Sequence, residues 1–216
     1  MNRSELIAVL RFGDSAFPSG GFAFSSGLEG AVRDGFVTRE HDVLAFAAEA
    51  VVNRWHTMDR VLLRAAWTDP VHADRLAEAS NIMSTLREAS RRSGAALLST
   101  FASLGSADAV AYRADVLSGR NPGHLPVAQA VCYRGQGLDL DSVDAMSGWQ
   151  VLSGIASAAL RLGVIGHLGS QRVMDGTGPV LASTLELVPD IEPSSFTAFA
   201  DIAAQRRGDG IRLFAS

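Results

Sequence analysis

The sequence contains no lysine, and the 19 residues counted as Lys or Arg are all arginine. A Walker-type nucleotide loop needs a lysine at the phosphates, a pyridoxal phosphate enzyme needs one for its Schiff base, and a protein kinase needs one at its nucleotide. The composition therefore excludes all three classes.

Cysteine and positive charge are also scarce. Cys132 is the only cysteine, so no intramolecular disulfide can form. Its place in an apolar helical pattern predicts a buried small hydrophobe. A net charge of −4 and a pI near 5.7 provide no basic surface for a phosphate backbone, and we expect no nucleic-acid binding.

Long hydrophobic runs are missing as well. The most apolar stretch, residues 149–165, is short for a bilayer and includes Gln150, Ser153, Ser157 and Arg161. The N-terminal residues lack the apolar run and the cleavage site of a secretory signal. With 47% apolar and 19% charged residues in a chain of 216, we expect a globular cytoplasmic protein that does not contact membranes.

Helical periodicity dominates what is present. Over residues 38–67, apolar side chains recur at alternating spacings of four and three, which predicts a helix with one buried stripe. The predicted stripe consists of Leu44, Ala48, Val51, Trp55, Met58, Leu62 and Ala65. The pattern also allows a break into two helices near His56 and Thr57.

The rest of the chain follows the same pattern. Further helices are predicted at residues 69–83, 84–104, 107–117, 126–135, 141–162, 168–188 and 193–207, with a potential break at 176–179. The predicted inward-facing residues of the first two are Leu76, Ala79, Met83, Leu86, Leu97, Phe101 and Leu104. Rows of small residues make 141–162 the candidate central helix, and no run alternates as a strand would. We predict an all-α, single globular helical bundle domain of about nine or ten helices over residues 1–210, followed by a C-terminal tail over 211–216.

Catalytic signatures are absent. The HExxH, CxxC, GxSxG, SxxK and GxGxxG patterns do not occur. His56 and Asp59 lie one helical turn apart and could hold a metal ion, which leaves a helical metal-dependent enzyme with a His/Asp site as an alternative. A helical regulator that binds a small ligand is a third hypothesis.

The most unusual segment covers residues 14–29. It contains a glycine pair followed by Phe22 and Phe24, in what should be a loop. Such aromatic side chains either fold into the core or are presented to a partner. Ser26 and Glu29 fit a capping box, which would make Glu29 a structural residue rather than a partner-binding one.

This segment resembles the N-terminal signature of the urease accessory protein UreF family, in which a glycine pair precedes an aromatic-Ser-x-Gly-Leu-Glu run. Other family-like motifs follow in order along the chain: Arg91-Arg92-Ser93-Gly94 with Leu97-Leu98, His124-Leu125-Pro126-Val127, Ser157 to Arg161 with Gly166 and Gln171, and Arg212-Leu213-Phe214 near the end. Each motif is weakly specific, whereas the ordered set is much more so. Ala23, Phe24, Ala95 and Val164 depart from the family pattern, and at position 24 an aromatic anchor survives where a hydrogen-bonding group is common.

The resemblance implies an all-α, non-enzymatic homodimer without a cofactor. It implies that the protein binds UreD (also called UreH), and that both recruit the nickel-carrying GTPase UreG to the urease apoprotein and modulate GTP hydrolysis. The candidate partner-binding residues are Phe22, Phe24, Glu29, Arg161, Gln171, Arg212, Leu213 and Phe214. No catalytic or metal-ligating residue is assigned.

Two of these assignments have structural alternatives. Arg161 can pair internally with an aspartate, line a polar interface or channel, or act as a finger on a GTPase. The tail can order on a partner, with Phe214 as the apolar anchor and Arg212 as the polar one, or fold back on its own domain.

Overall fold

A computed structural model describes residues 2–20 and 26–195, and its regular structure is helical. The helices, in chain order, are α1 (Arg3–Gly13), α2 (Leu28–Arg33), α3 (Glu40–Ala50), a π-helical segment (Val51–Asp59), α4 (Arg60–Ala66), α5 (Pro70–Ser80), α6 (Ser84–Ser103), α7 (Ala107–Leu117), α8 (Leu125–Arg134), α9 (Leu140–Arg161) and α10 (His167–Leu185). Helix α3, the π segment and α4 run on without a break over 40–66, so the described residues form nine separate helical rods. The all-α prediction is confirmed.

Helix α9 is central, as its small-residue rows predicted. It packs against α1, α2, α3, the π segment, α4, α8 and α10. Its N-terminal half contributes Val143 and Met146 to an aromatic core built around Phe101 and Tyr133. Its C-terminal half belongs to a second core around Trp55. One helix therefore joins both cores, and among the described helices none has the length and apolarity that a bilayer requires.

The π segment explains where the predicted stripe of residues 38–67 was right and where it was wrong. Trp55, Met58 and Leu62 are buried, as predicted. Upstream, Val43 and Ala47 are fully buried, whereas the predicted Leu44 and Ala48 are only partly covered. A π turn closes i→i+5 hydrogen bonds and so rotates the buried face between the two ends of the helix. The break suspected near residues 56–57 is this segment, within a continuous helix.

Four local predictions were wrong, each for a structural reason. Leu104 is 53% exposed because the chain reverses at Gly105, and Ala79 is exposed because α5 turns Ala73 and Ala77 inward instead. The 176–179 break does not form: the exposed Pro179 lies inside α10, where water can satisfy the carbonyl group that proline leaves free.

The fourth wrong prediction is the capping box of Ser26 and Glu29. Helix α2 begins after Gly27, whose φ is +86°, and its N-cap has no side-chain hydrogen bond. Ser26 therefore lies one residue too early to cap the helix. The helix predicted over 193–207 falls largely outside the described residues, and the tail does so entirely.

A buried carboxylate ties helices α5, α7 and α8 together. Asp74 accepts hydrogen bonds from the backbone N–H of Gly123 at 2.7 Å and of His124 at 2.9 Å, and from the Tyr112 hydroxyl at 2.8 Å. Gly123 and His124 stand immediately before α8. The carboxylate thereby fixes the entry of α8 to α5 with charge-assisted bonds.

His124 extends this network to α6. Its Nε2 lies 2.9 Å from Glu78 Oε2, and its Nδ1 lies 3.2 Å from Ser90 Oγ. Hydrogen bonding to Arg91 is the main cause that lowers the pKa of Glu78 to about 2, so this carboxylate is ionised and can only accept. Nε2 must then carry a proton and donate to Glu78, while burial of the imidazole lowers the pKa of His124.

Gly94 lets α6 and the start of α8 approach closely. A Cβ at this position would stand 2.1 Å from the carbonyl oxygen of Gly123, which is backbone and has little room to retreat. The Arg-Gly and His-x-Pro-Val motifs of the sequence therefore meet in space. Glycine is required at 94 for helix packing, whereas its backbone conformation there is ordinary.

We predict that Gly94→Ala destabilises the protein by about 3 kcal/mol, because overpacking against a fixed backbone costs this much. Urea denaturation followed by circular dichroism measures the loss. The matched control is Gly154→Ala in α9, where a Cβ meets no described atom within 4 Å. That variant should gain up to about 1 kcal/mol from helix propensity. Equal effects of the two substitutions would contradict the packing argument.

A second prediction concerns pH. Burial is the main cause that lowers the pKa of His124 below its ordinary value, so protonation favours the unfolded chain. The stability that neutral His124 contributes is present above about pH 6.5 and declines as the pH falls below it. His124→Asn should lower stability at pH 7.5 by about 1–3 kcal/mol, but should lose less between pH 7.5 and 5.5 than the wild type does. The exposed His72→Asn is the control, and parallel pH profiles for wild type and His124→Asn would refute the assignment.

Candidate functional site

A cavity of about 380 Å³ opens between the N-terminal loop and four helical elements. The last residue of α1, Gly13, and the loop residues 14–20 and Ser26 form one side. The other walls come from α3 with the π segment, from α6, from the first turns of α8, and from one face of α9. Its volume lies in the range of ligand and partner pockets, and its lining combines apolar surface with many polar and several charged side chains.

Motifs that are far apart in the sequence converge on this cavity. The loop of residues 14–20 belongs to the first motif, Leu125 and Pro126 to the His-x-Pro-Val motif, and Ser157 and Arg161 to the last motif of α9. Ser90 also lines the cavity and directly precedes the Arg-Gly motif, whose own residues do not line it. Three separate family-like segments thus surround one feature of the molecule.

The loop is held in place by contacts with α1 and α6. The Phe17 ring packs on Phe12 and Phe101, with centroids 5.2 and 5.4 Å apart. The Thr100 hydroxyl donates to the carbonyl oxygen of Pro18 at 2.8 Å. These contacts join the first motif to the helix that carries the second, so the wall is part of the fold.

The π segment supplies two of the charged side chains of the wall, Arg54 and Asp59. Arg54 Nη2 donates to Asn81 Oδ1 at 2.7 Å, and its Nε lies 3.7 Å from Asp59 Oδ2. Burial raises the pKa of Asp59, and Arg54 opposes that shift. Below them the Trp55 indole donates to Ser147 Oγ at 3.0 Å, which closes the floor against α9. Isolated π turns recur at functional sites.

Arg161 is the only described member of the predicted partner-binding set that lines the cavity. It stands in the last turn of α9, its Nε donates to the Ser157 carbonyl oxygen at 3.4 Å, and burial lowers its pKa. This location agrees with a lining role, while its contact with a partner stays a prediction.

The other candidates are dispersed. Glu29 is half-buried in the first turn of α2, and Gln171 is exposed on α10; neither lines the cavity. The remaining predicted residues lie outside the described part of the chain: Phe22, Phe24, Arg212, Leu213 and Phe214.

The residues considered for metal chemistry are engaged elsewhere. His56 Nδ1 lies 3.2 Å from Arg60 Nη1, and because a guanidinium only donates, this nitrogen is an acceptor already in use. Asp59 faces Arg54. Among residues 2–20 and 26–195, no three His, Cys, Asp or Glu side chains cluster as a metal site would require. Cys132 is buried, as predicted, and burial raises its pKa to about 12, so the thiol is inert.

Sequence reasoning missed Arg60, the most extensively bonded arginine of the described chain. It is only 4% exposed and is bound by Asp144 of α9. The burial of Arg60 could have been suspected from the sequence, because Arg60 precedes the apolar run Val61 to Leu63, which implies a helix covered on several sides. The partner, 84 positions away, could not be deduced from one sequence.

Comparison with known proteins identifies the family. The UreF family model matches residues 37–176. The chain is 30% identical to the urease accessory protein UreF of Trichodesmium erythraeum, over 90% of this chain and 84% of the relative. It is 30% identical to urease accessory protein UreF 1 of Brucella melitensis, over 97% and 92%, and 31% identical to UreF of Yersinia pestis, over 94% and 86%.

These matches cover most of the chain and agree with the all-α fold and with the order of the motifs. They also confirm the non-enzymatic interpretation, because the relatives are accessory proteins. The chain belongs to the UreF family of urease accessory proteins.

Proposed function

We propose that the protein is a docking scaffold that, with UreD, recruits the nickel-carrying GTPase UreG to the urease apoprotein for nickel insertion. In this proposal the protein acts as a homodimer and modulates GTP hydrolysis by UreG. The specific partners come from the family resemblance. The observation that supports a scaffold most directly is the convergence of three family-like segments around one cavity.

The arrangement of polar groups around the cavity also favours a scaffold. Gln129 Nε2 donates to Gln150 Oε1 at 2.9 Å, and Gln150 Nε2 donates to the Phe12 carbonyl oxygen at 3.0 Å. Arg54 is engaged with Asn81 and Asp59. These groups bond to one another and brace the wall. A catalytic site would instead direct them toward one reacting atom.

Co-purification tests the proposal. A tagged form of this protein, co-expressed with the UreD and UreG proteins of its own organism, should capture both in a complex that elutes as one peak in size-exclusion chromatography. The protein without UreD should capture less UreG, because the proposal assigns recruitment to the pair. If neither protein co-purifies, the scaffold assignment fails.

The tail provides a sharper test. Truncation after Gly210 removes Arg212, Leu213 and Phe214, and should weaken UreD binding by about tenfold or more, as loss of an interface anchor does. Helicity by circular dichroism should change little, since six residues are removed. The control is Leu117→Ala, an exposed apolar residue on α7. Undiminished UreD binding by the truncated chain would remove the tail from the interface.

A further inference from the structure

Arg60 binds the end of a helix that is distant in sequence. Its Nη1 donates to the carbonyl oxygens of Thr184 and Leu187, each at 3.0 Å, and its Nη2 donates to that of Leu185 at 3.1 Å. Its Nε donates to Asp144 Oδ2 at 2.8 Å. One buried guanidinium therefore joins α4, α9 and the C-terminus of α10.

The charge balance suits this position. Asp144 is shared by Arg60 and Arg64, and Arg64 also lies 3.6 Å from the exposed Asp141 carboxylate, whereas Asp144 is the carboxylate paired with Arg60. The Arg60 guanidinium lies where the α10 dipole is negative and where the last carbonyls have no intrahelical donor. Helix α10 has no basic residue of its own in its last turn. Arg60 thus acts as a C-terminal cap supplied from another helix.

The stretch that follows α10 crosses the π segment. The backbone N–H of Ser194 donates to the carbonyl oxygen of Thr57 at 2.8 Å. Val188 and Ile191 are 91% and 93% exposed, so apolar burial does little to hold this stretch. Its path depends on hydrogen bonds at its two ends, the Arg60 cap and the bond at Ser194.

We infer that Arg60 is a positioning residue that sets the place and direction of the chain over residues 186–195, the stretch that connects α10 to the sequence containing the predicted partner-binding residues of the tail. The inference rests on the proposed function, in which Arg212, Leu213 and Phe214 bind a partner. A scaffold that presents its C-terminal segment from a fixed point loses less conformational entropy on binding. Arg60 therefore contributes to UreD affinity without touching UreD.

Arg64 provides a matched control, because it stands one turn away and bonds the same Asp144 oxygen without reaching α10. Arg60→Lys keeps the charge for Asp144, but a single ammonium cannot serve Asp144 and the three carbonyls in the fork geometry of a guanidinium. Arg64→Lys makes the same chemical change at a residue that does not bind the end of α10. Both variants are made in the full-length chain, and urea denaturation establishes conditions under which each is folded.

Two readouts are compared. Hydrogen exchange, measured without a partner, should be at least about tenfold faster over residues 186–195 in Arg60→Lys and within about twofold of wild type in Arg64→Lys. UreD affinity should fall by about tenfold in Arg60→Lys alone. Ser194→Pro, which removes the donor to Thr57 and leaves Arg60 intact, should reproduce the loss of affinity with the core unchanged.

Three results would overturn the inference. They are equal exchange in the two lysine variants, faster exchange without weaker UreD binding, and weaker binding without faster exchange. If Arg60 only stabilised the fold, UreD binding would weaken because less of the protein is folded. The urea measurement detects such a loss of folded protein. If wild-type protein binds no UreD, the proposed function fails, and the partner-free exchange data distinguish that failure from a failure of the Arg60 cap.

Discussion

The bond between Arg60 and Asp144 is the constraint on which the second half of the fold depends. Burying either charge alone would cost several kcal/mol, and the two are nearly inaccessible to water. The cost is offset only if the remaining donors of the guanidinium find acceptors, and these are the carbonyls at the end of α10 together with His56 Nδ1. The position of α10 relative to α4 and α9 follows from the need to satisfy one arginine.

A second buried network does the equivalent for the aromatic core. Asp74 binds the two residues that precede α8, and His124 connects the same place to Glu78 on α5 and Ser90 on α6. The apolar cores supply most of the driving force but are non-directional. Hydrogen-bonded ions are directional, so each core gains a defined helix arrangement from a polar group placed at its margin. Helix α9 then couples the two halves.

The sequence was sufficient for features that depend on local periodicity. The all-α class, the Asp69-Pro70 start of α5 and the central α9 follow from spacing and caps, and the structure has them. Contacts between segments that are distant in the sequence could not be predicted from it. Nothing near Arg60 indicates Asp144, and nothing near Leu44 indicates that a π segment will rotate the buried face. For the candidate site, the motifs were visible but the cavity that they share was not.

The convergence of these motifs also explains why weakly specific segments identify a family. An enzyme concentrates its constraints on a few reacting groups, whereas a scaffold must keep a surface in shape. Gly94 maintains the distance between α6 and α8, Pro18 seats the loop on Thr100, and His124 orients the entry of α8. The contribution of each residue to the structure is small, and together these residues hold the walls of one cavity in place. A sequence that keeps all of them in order therefore keeps a surface, and a surface of fixed shape is what docking requires.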